Sequence, residues 1–240
     1  MSAKTISILQ LYPRDMNIYG DYGNALVLKR RLEWYGYDVR LLAYNQGDTF
    51  PANVDIIVGG GGQDSGQNKI KADLISIAPK LHQLADDGVP MLMICGLYQL
   101  FGEFFKTSSG DIIEGIGLLD VQTYGSTERL IGNIIIESDE FGEIIGYENH
   151  SGQTQLGATA LPLGAVRLGA GNNMIDGHEG ARYKNVIGSY LHGSLLPKNP
   201  RVADFLITVA ITRKYGTFKH KSLDDQFAHQ ARKVAATRPR

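Results

Sequence analysis

The chain has 240 residues, of which 43% are hydrophobic and 20% charged, proportions that are typical of a globular protein with a substantial core. Its formal net charge of -1 excludes nucleic-acid binding driven by bulk charge. The single cysteine excludes an internal disulfide framework and fits a reducing cytoplasm, and no apolar run is long enough to span a membrane. We expect one cytoplasmic domain over residues 1–240, with its core at about 5–215 and a C-terminal helix or tail at 216–240.

Strand and helix patterns alternate through the first half of the chain. β-rich or apolar runs cover residues 5–11, 39–43, 54–58 and 89–94. Apolar residues recur at helical spacing from Ala25 to Tyr35 and from Ile70 to Leu84. With a short helix after the fourth run, the order β-α-β-β-α-β-α predicts an α/β fold with a doubly wound, mostly parallel central sheet flanked by helices.

Capping residues and prolines predict where the helices begin, bend and end. Asp21 is expected to cap the first helix with its side chain, and Pro79 to bend or split the second. Pro200 is expected to open a helix. The last helix is predicted to begin at Ser222, with the acidic pair Asp224–Asp225 in its first turn.

The second half of the chain changes to short strand-like runs separated by glycine turns. These runs cover residues 116–123, 132–137, 143–147 and 165–168. They predict antiparallel hairpins that form an additional β-rich layer joined to the first sheet. A further strand, residues 186–191, ends directly before His192.

Cys95 lies between a buried strand and a helix. The run Val89 to Ile94 stops at Cys95, and Gly96 opens the helix. Such a turn presents its side chain at the carboxyl edge of the sheet, beside backbone N–H groups that favour a thiolate. The pattern therefore predicts a nucleophile elbow built on sulfur. The alternative is a buried structural cysteine.

Two further strand ends are expected at the same edge of the sheet. The glycines of Gly59–Gly62 follow the third strand, and His192 follows a late one. Taken alone, the glycines fit a tight turn, and a phosphate loop would require a following Lys-Ser/Thr that is absent. A lone histidine is commonly structural. A thiol, an imidazole and bare amides together predict an acyl-transfer site.

Five segments in order carry a resemblance to a known family. They are Gly59-Gly-Gly-Gly-Gln-Asp64, Ile94-Cys-Gly-Leu-Tyr-Gln99, Glu128-Arg-Leu-Ile-Gly-Asn133, Gly146-Tyr-Glu-Asn-His-Ser-Gly152 and Gly188-Ser-Tyr-Leu-His-Gly-Ser-Leu-Leu-Pro-Lys-Asn-Pro200. Together they resemble class I, triad-type glutamine amidotransferases of the cobyric acid and cobyrinic acid a,c-diamide synthase (CobB/CobQ) branch. Within that branch they are similar to the GatD family, the glutaminase subunits of lipid II isoglutaminyl synthase. The resemblance runs from the first strand to about residue 215.

The resemblance implies a thioester mechanism on free glutamine. Cys95 would attack the side-chain carboxamide and release ammonia, while His192 would act as acid and then as base. Backbone N–H groups of Gly61 and Gly96 are predicted to form the oxyanion hole.

The same resemblance suggests two substrate-binding residues. Gln99 is expected to hold the polar end of the substrate, and Arg129 to bind the α-carboxylate of glutamine with a bidentate fork. The alternative for Arg129 is a surface ion pair in the neighbourhood of Glu128.

The sequence departs from the wider class at the residue that orients the histidine. Most triad amidotransferases have an acid two residues after the histidine, but here that residue is Ser194. A serine cannot supply the negative charge that stabilises an imidazolium. Either Glu148 supplies it or a partner subunit does, and the resemblance favours the partner. We therefore expect the isolated chain to be a weak glutaminase.

The resemblance also implies the cofactors and partners. No metal or organic cofactor is expected in this chain, because ATP and Mg²⁺ would lie on a Mur-ligase-like (MurT-type) partner in a heterodimer. That partner would handle lipid II at the cytoplasmic face of the membrane and amidate its D-glutamate to D-isoglutamine. The spacing of His150 and His178 matches no metal-ligand pattern.

Three other functions remain open from the sequence. The first is a glutaminase for another amidation of the cobyrinic or cobyric acid type. The second is a non-catalytic scaffold of the same fold. The third is a cysteine hydrolase of the chaperone-peroxidase-like type, which usually requires an acid beside the thiol that is not found at the matching position.

Overall fold

The computed structural model describes residues 4–238, which form two six-stranded sheets and six helices. The helices are α1 Tyr22–Trp34, α2 Asp64–Asp86, α3 Gly96–Phe101, α4 Leu195–Lys198, α5 Pro200–Tyr215 and α6 Gln226–Ala236. The strands are β1 Thr5–Leu11, β2 Asp38–Tyr44, β3 Ile56–Gly59, β4 Met91–Ile94, β5 Phe104–Lys106, β6 Ile112–Glu114, β7 Val121–Ser138, β8 Gly142–Leu156, β9 Gly164–Leu168, β10 His178–Glu179, β11 Ala181–Tyr183 and β12 Val186–Ser189.

The first sheet has the strand order β11-β12-β4-β3-β1-β2 and is parallel apart from β11. The strands β3, β4 and β12 are buried along their whole length, as expected for a sheet covered on both faces. Gly59 pairs with Met93, and Ser189 pairs with Ile94. The three strands therefore end at the same edge, and the predicted α/β fold is confirmed.

Helix α2 differs from the prediction, because it continues through Pro79 without a break. Proline removes one helical hydrogen bond, but the rest of the helix is held by its apolar face. That face includes the buried residues Ile70, Leu74, Leu81 and Leu84. Packing of this face on the sheet outweighs the local cost of the proline.

The second sheet is built around one long hairpin rather than the short runs predicted from sequence. β7 is a single strand of 18 residues that pairs antiparallel with β8, and the register shifts between Gly125 and Leu130. Residues 116–120 lie outside it. Glycines that were predicted to end the short strands lie within β7 and β8. They are tolerated there because the two strands form hydrogen bonds with each other along their length. An isolated bridge from Tyr147 to His192 links this hairpin to the first sheet.

The C-terminal helix begins later than predicted, at Gln226 rather than Ser222. Asp225 lies at its N-cap position without a side-chain capping bond, and its carboxylate instead pairs with Arg31 of α1. At the start of the helix, the Gln226 N–H donates to Oδ1 of Asp224 at 3.0 Å. None of the residues of α6 is buried. Across residues 4–238, no helix combines the length and apolar character needed to cross a bilayer.

Candidate active site

Cys95 occupies the sharp turn predicted between β4 and α3. Its backbone has φ 52° and ψ -105°, a conformation that costs a non-glycine residue about 1–3 kcal/mol. The Cys95 N–H donates to the carbonyl of Ser189 at 2.8 Å, which ties the turn to β12. The side chain is buried, with 6% of its residue surface exposed.

The glycine loop after β3 passes directly over this turn. The Leu97 N–H donates to the Gly60 carbonyl at 3.3 Å. A Cβ on Gly61 would lie 2.9 Å from Cε1 of His192 and 3.2 Å from Cβ of Cys95. A side chain at Gly61 would therefore displace the two residues predicted to perform the chemistry, and the structure brings both of them together at this point.

His192 lies three residues beyond β12, and its N–H donates to the Tyr147 carbonyl at 2.8 Å. The ring is 1% exposed, and neither ring nitrogen has a hydrogen-bond partner among residues 4–238. Burial lowers the pKa of His192, but the negative charges of Cys95 and Asp21 outweigh burial and raise that pKa to about 10. The imidazolium form of His192 is therefore favoured in this site.

Asp21 has a different role from the helix cap predicted for it. It stands at the N-cap position of α1, yet its side chain makes no capping bond. Its Oδ2 accepts the Gly61 N–H at 2.8 Å and lies 3.7 Å from Nδ1 of His192. Asp21 was not predicted from the sequence to lie in this site. The one feature that could have indicated it is its position in the loop after β1, at the same edge of the sheet as Cys95.

The candidate orienting group Glu148 is used elsewhere in the structure. Its carboxylate accepts the N–H groups of Ala170 and Gly171 at 2.9–3.1 Å. Ser194, two residues after His192, donates from Oγ to the Gly20 carbonyl at 2.8 Å. The serine thus ties the histidine segment to the loop that carries Asp21.

Arg129 projects from the irregular stretch of β7 and is exposed. Its Nε donates to Oδ1 of Asn149 at 2.6 Å, and Nη2 donates to the hydroxyl of Tyr19 at 2.8 Å. No carboxylate within residues 4–238 forms an ion pair with it, so the alternative of a surface ion pair near Glu128 is not observed. Tyr19 and Asn149 were not identified from the sequence.

Gln99 is buried in a chain of side-chain hydrogen bonds. Its Oε1 accepts from Gln67 at 2.8 Å, and its Nε2 donates to the hydroxyl of Tyr190 at 3.1 Å. The hydroxyl of Tyr190 lies 2.6 Å from that of Thr154. Each end of the Gln99 amide can make one more hydrogen bond, so the residue forms a polar wall of the site.

The two backbone N–H groups predicted to form the oxyanion hole differ in whether they are already used in another hydrogen bond. Gly96 is the first residue of α3, where backbone N–H groups lack acceptors within the helix. The Gly61 N–H, in contrast, is donated to Asp21. The next residue, Gly62, has an N–H with no acceptor in the described part of the chain, and its nitrogen lies 3.1 Å from where a Cβ of Gly96 would stand. The Gly62 N–H is therefore better placed than the Gly61 N–H to act with the Gly96 N–H as an oxyanion donor.

A polar cavity of about 350 Å³ opens beside the thiol and is lined in part by Cys95, Gln99, Arg129 and His150. Sites for small ligands commonly have volumes of about 300–1,000 Å³. A larger cavity of about 470 Å³ lies between β8 and the helices α5 and α6 and contains no nucleophile. The smaller cavity is therefore the candidate substrate site.

His150 is a neutral part of this wall. Its Nδ1 lies 2.8 Å from the Gly152 carbonyl, so this nitrogen is the one that donates. The ring stacks on Tyr190 with centroids 3.6 Å apart. Burial lowers the pKa of His150 to about 3. No cluster of His, Cys, Asp or Glu suited to a metal ion occurs within residues 4–238.

Comparison with known proteins yields relatives of similar length. The chain is 40% identical over 235 residues to "Lipid II isoglutaminyl synthase (glutamine-hydrolyzing) subunit GatD" of Staphylococcus aureus, covering 97% of this chain and 96% of that protein. It is 42% identical over 215 residues to the protein of the same name from Streptococcus pneumoniae, covering 88% and 82%. A probable cobyric acid synthase of Methanothermobacter thermautotrophicus is 30% identical, and the match covers 82% of this chain but 41% of that longer protein.

Solved structures share the fold at low sequence identity. A glutamine amidotransferase of Thermotoga maritima superposes with a TM-score of 0.56 at 14% identity, covering 96% of this chain and 93% of that one. Another glutamine amidotransferase gives a TM-score of 0.57 at 15% identity, covering 84% and 98%. The family model described as a CobB/CobQ-like glutamine amidotransferase domain matches residues 7–200. The chain thus belongs to the CobB/CobQ-like glutamine amidotransferase family.

Proposed function

We propose that this protein is the glutaminase subunit of a lipid II isoglutaminyl synthase. It hydrolyses glutamine to glutamate and ammonia, and the ammonia passes to a partner that amidates the α-carboxyl of D-glutamate in lipid II. The observation that carries the glutaminase activity is the meeting of Cys95 and His192 at Gly61. Sequence identity of 40–42% to two proteins named as GatD subunits of lipid II isoglutaminyl synthase supports lipid II as the acceptor of the ammonia.

The reaction begins with attack by the Cys95 sulfur on the carboxamide carbon of glutamine. The C=O electron pair moves onto oxygen, and the N–H groups of Gly96 and Gly62 stabilise the resulting oxyanion. Loss of one such donor typically slows an acyl-transfer enzyme by about 10²–10³-fold. The C–N bond then breaks and leaves a γ-glutamyl thioester on Cys95.

His192 supplies and takes up the protons of the reaction. The imidazolium gives its proton to the departing nitrogen, which leaves as ammonia. The neutral ring then accepts a proton from water as the water attacks the thioester, and glutamate departs while the thiol is restored. Asp21, 3.7 Å from Nδ1, holds the ring in orientation and stabilises its charged form. Catalytic contacts of this length commonly shorten to hydrogen bonds in the substrate complex.

Arg129 and Gln99 hold the substrate in the cavity beside Cys95. The guanidinium carries N–H groups beyond those donated to Asn149 and Tyr19, and a planar fork matches a carboxylate. We assign to it the α-carboxylate of glutamine. Gln99 contributes its remaining amide hydrogen-bonding capacity to the polar part of the substrate.

Activation of the acceptor belongs to the partner. The loop Gly59–Gly62 lacks the Lys-Ser/Thr that a phosphate loop requires, and the Gly61 N–H is already donated to Asp21. We therefore assign ATP and Mg²⁺ to a Mur-ligase-like subunit of the MurT type, which binds lipid II, and no metal or organic cofactor to this chain. Both subunits act in the cytoplasm.

A nitrogen-source experiment on the assembled complex tests this function. With Cys95→Ser, amidation of lipid II from glutamine is expected to stop, because the weaker nucleophile cannot form the acyl intermediate at a useful rate. Amidation from added ammonium chloride is expected to continue, because the partner retains its own site. Unchanged glutamine-dependent amidation would exclude Cys95, and loss of both reactions would show that the substitution disrupts the complex.

A further inference from the structure

Tyr19 lies in the loop between β1 and α1 and packs on the ring of His192. The two ring centroids are 4.3 Å apart with planes inclined at 48°. Such aromatic contacts limit how far an imidazole can rotate. The Tyr19 side chain also lines the cavity beside Cys95. One face of the histidine is therefore covered by a residue that also faces the substrate site.

The hydroxyl group of the same side chain contacts the proposed substrate clamp. It accepts a hydrogen bond from Nη2 of Arg129 at 2.8 Å, while Asn149 holds Nε of the same guanidinium. A long exposed arginine otherwise retains much side-chain freedom, which is lost when a ligand binds. Two neutral acceptors restrict the guanidinium without cancelling its charge, so its full charge remains for an anion.

Tyr19 is itself fixed by the glycine loop. The N–H of the preceding residue, Ile18, donates to the Gly61 carbonyl at 3.2 Å. The Cδ2 atom of Tyr19 lies 3.1 Å from the position of a Cβ on Gly61. The ring therefore rests against the same residue at which Cys95 and His192 meet, and any shift of Tyr19 changes both ends of the site.

From these contacts we infer that Tyr19 is a positioning residue that links the clamp for the α-carboxylate of glutamine to the catalytic histidine. The hydroxyl orients Arg129 for the carboxylate, and the ring holds His192 against Cys95. This inference rests on the proposed glutaminase function. The two contributions reside in different parts of one side chain, so they can be separated by substitution.

Alkylation of Cys95 in the purified full-length chain tests the inference. Because the chain has one cysteine, every cysteine adduct reports on this site. The probes are 6-diazo-5-oxo-L-norleucine, which carries the α-amino and α-carboxyl groups of glutamine, and iodoacetamide, which carries neither. The variants are Tyr19→Phe and Tyr19→Ala. Tyr22→Phe on the exposed surface of α1 is the matched control.

Tyr19→Phe is expected to raise the KI of the diazo-ketone about fivefold, because one hydrogen bond to the guanidinium is lost. Its maximal inactivation rate and its iodoacetamide rate are expected to stay within about twofold of wild type, because the ring remains. Tyr19→Ala is expected to raise KI and also to lower both rates at least about threefold. If Tyr19→Phe keeps both rates near wild type while its KI stays raised, and Tyr19→Ala does not, then the ring and the hydroxyl group position different parts of the site.

Two results would overturn the inference. One is a KI for Tyr19→Phe equal to that of wild type and Tyr22→Phe. The other is equal loss of inactivation rate in the phenylalanine and alanine variants. Wild-type Cys95 that the diazo-ketone labels neither in the isolated chain nor in the assembled complex would instead contradict the proposed glutaminase function, so the two failures are distinguishable.

Discussion

At the scale of single residues, the His192 ring lies beside a carboxylate that is far from it in sequence. Asp21 approaches Nδ1 from the loop before α1, and it also accepts the Gly61 N–H. One side chain thus contacts both the glycine loop and the imidazole. Asp21 therefore constrains the glycine loop as well as contacting the imidazole.

Replacement of Asp21 by asparagine tests its electrostatic role. A negative charge raises the pKa of a nearby histidine, so Asp21→Asn should lower the pKa of His192 from about 10. In the proposed mechanism the imidazolium protonates the departing nitrogen, so turnover is lost as pH rises through that pKa. The alkaline limb of the kcat/KM profile for glutamine should therefore move to lower pH, and kcat should fall at least about tenfold.

A matched control lies in the same loop. Asp15 pairs with Lys69 at 2.6 Å, and Asp15→Asn should leave the alkaline limb in place. An unchanged limb in Asp21→Asn would mean that Asp21 serves only to hold the Gly61 N–H.

Residue patterns predicted that Cys95 and His192 would lie at one edge of the sheet, because both follow apolar strands, and the structure places them there. Asp21 was interpreted as a helix cap, since an aspartate before a helix usually is one. Its contact with His192 depends on how the first loop folds over the third strand. Tyr19 and Asn149 were missed for the same reason, because nothing local marks a tyrosine or an asparagine that orients an arginine.

At the scale of secondary-structure elements, α6 is attached to the protein mainly by charge. None of its residues is buried. Arg31, with 5% of its side chain exposed, binds Asp204 of α5 and Asp225 at the start of α6. A second link runs from Arg232 to Oδ1 of Asn199 at 2.8 Å. The helix therefore depends on a few directed contacts, in contrast to α2, which packs an apolar face.

Replacement of Arg31 by methionine should destabilise the protein by about 3 kcal/mol, because two partly buried carboxylates lose their partner. The released C-terminal segment should become sensitive to protease after residue 216. Urea unfolding and limited proteolysis measure the two effects. Arg30→Met is the control, because Arg30 pairs with Glu33 on the exposed surface and such pairs contribute about 0–1 kcal/mol. Equal stability of the two variants would contradict the proposed attachment of α6.

Element boundaries show what periodicity can and cannot establish. The β-α-β-β-α-β-α order was predicted because apolar spacing is a local property. Three features were not predicted, because each depends on a neighbouring part of the structure. The continuity of α2 through Pro79 depends on the sheet beneath that helix. The length of β7 depends on the paired strand β8, and the start of α6 lies at the ion pair with Arg31.

At the scale of the whole molecule, the candidate site lies where the two sheets meet. The first sheet supplies Cys95 and the glycine loop, whereas the β7–β8 hairpin of the second supplies Arg129 and Asn149. The bridge between Tyr147 and His192 connects them. The thiol and the arginine proposed to bind the α-carboxylate are therefore carried by different sheets, and their alignment depends on how the sheets are held together.

This division predicts weak glutaminase activity in the isolated chain. The 3.7 Å between Asp21 and His192 exceeds hydrogen-bond length, and both ring nitrogens lack partners in the described chain. A partner bound across the sheet junction would bring these groups into hydrogen-bond range. Assembly with the proposed Mur-ligase-like subunit should raise kcat for glutamine at least about tenfold, within the range of general acid–base effects.

Ammonia release by the chain alone and by the complex measures this gain. With Asp21→Asn the gain should largely vanish if the carboxylate of this chain is the group that assembly brings into place. If the full gain persists in that variant, the partner supplies the orienting acid, as the serine at position 194 first indicated. If the chain without its partner hydrolyses glutamine as fast as the complex does, both forms of activation are contradicted, because the site would then be complete without a second protein.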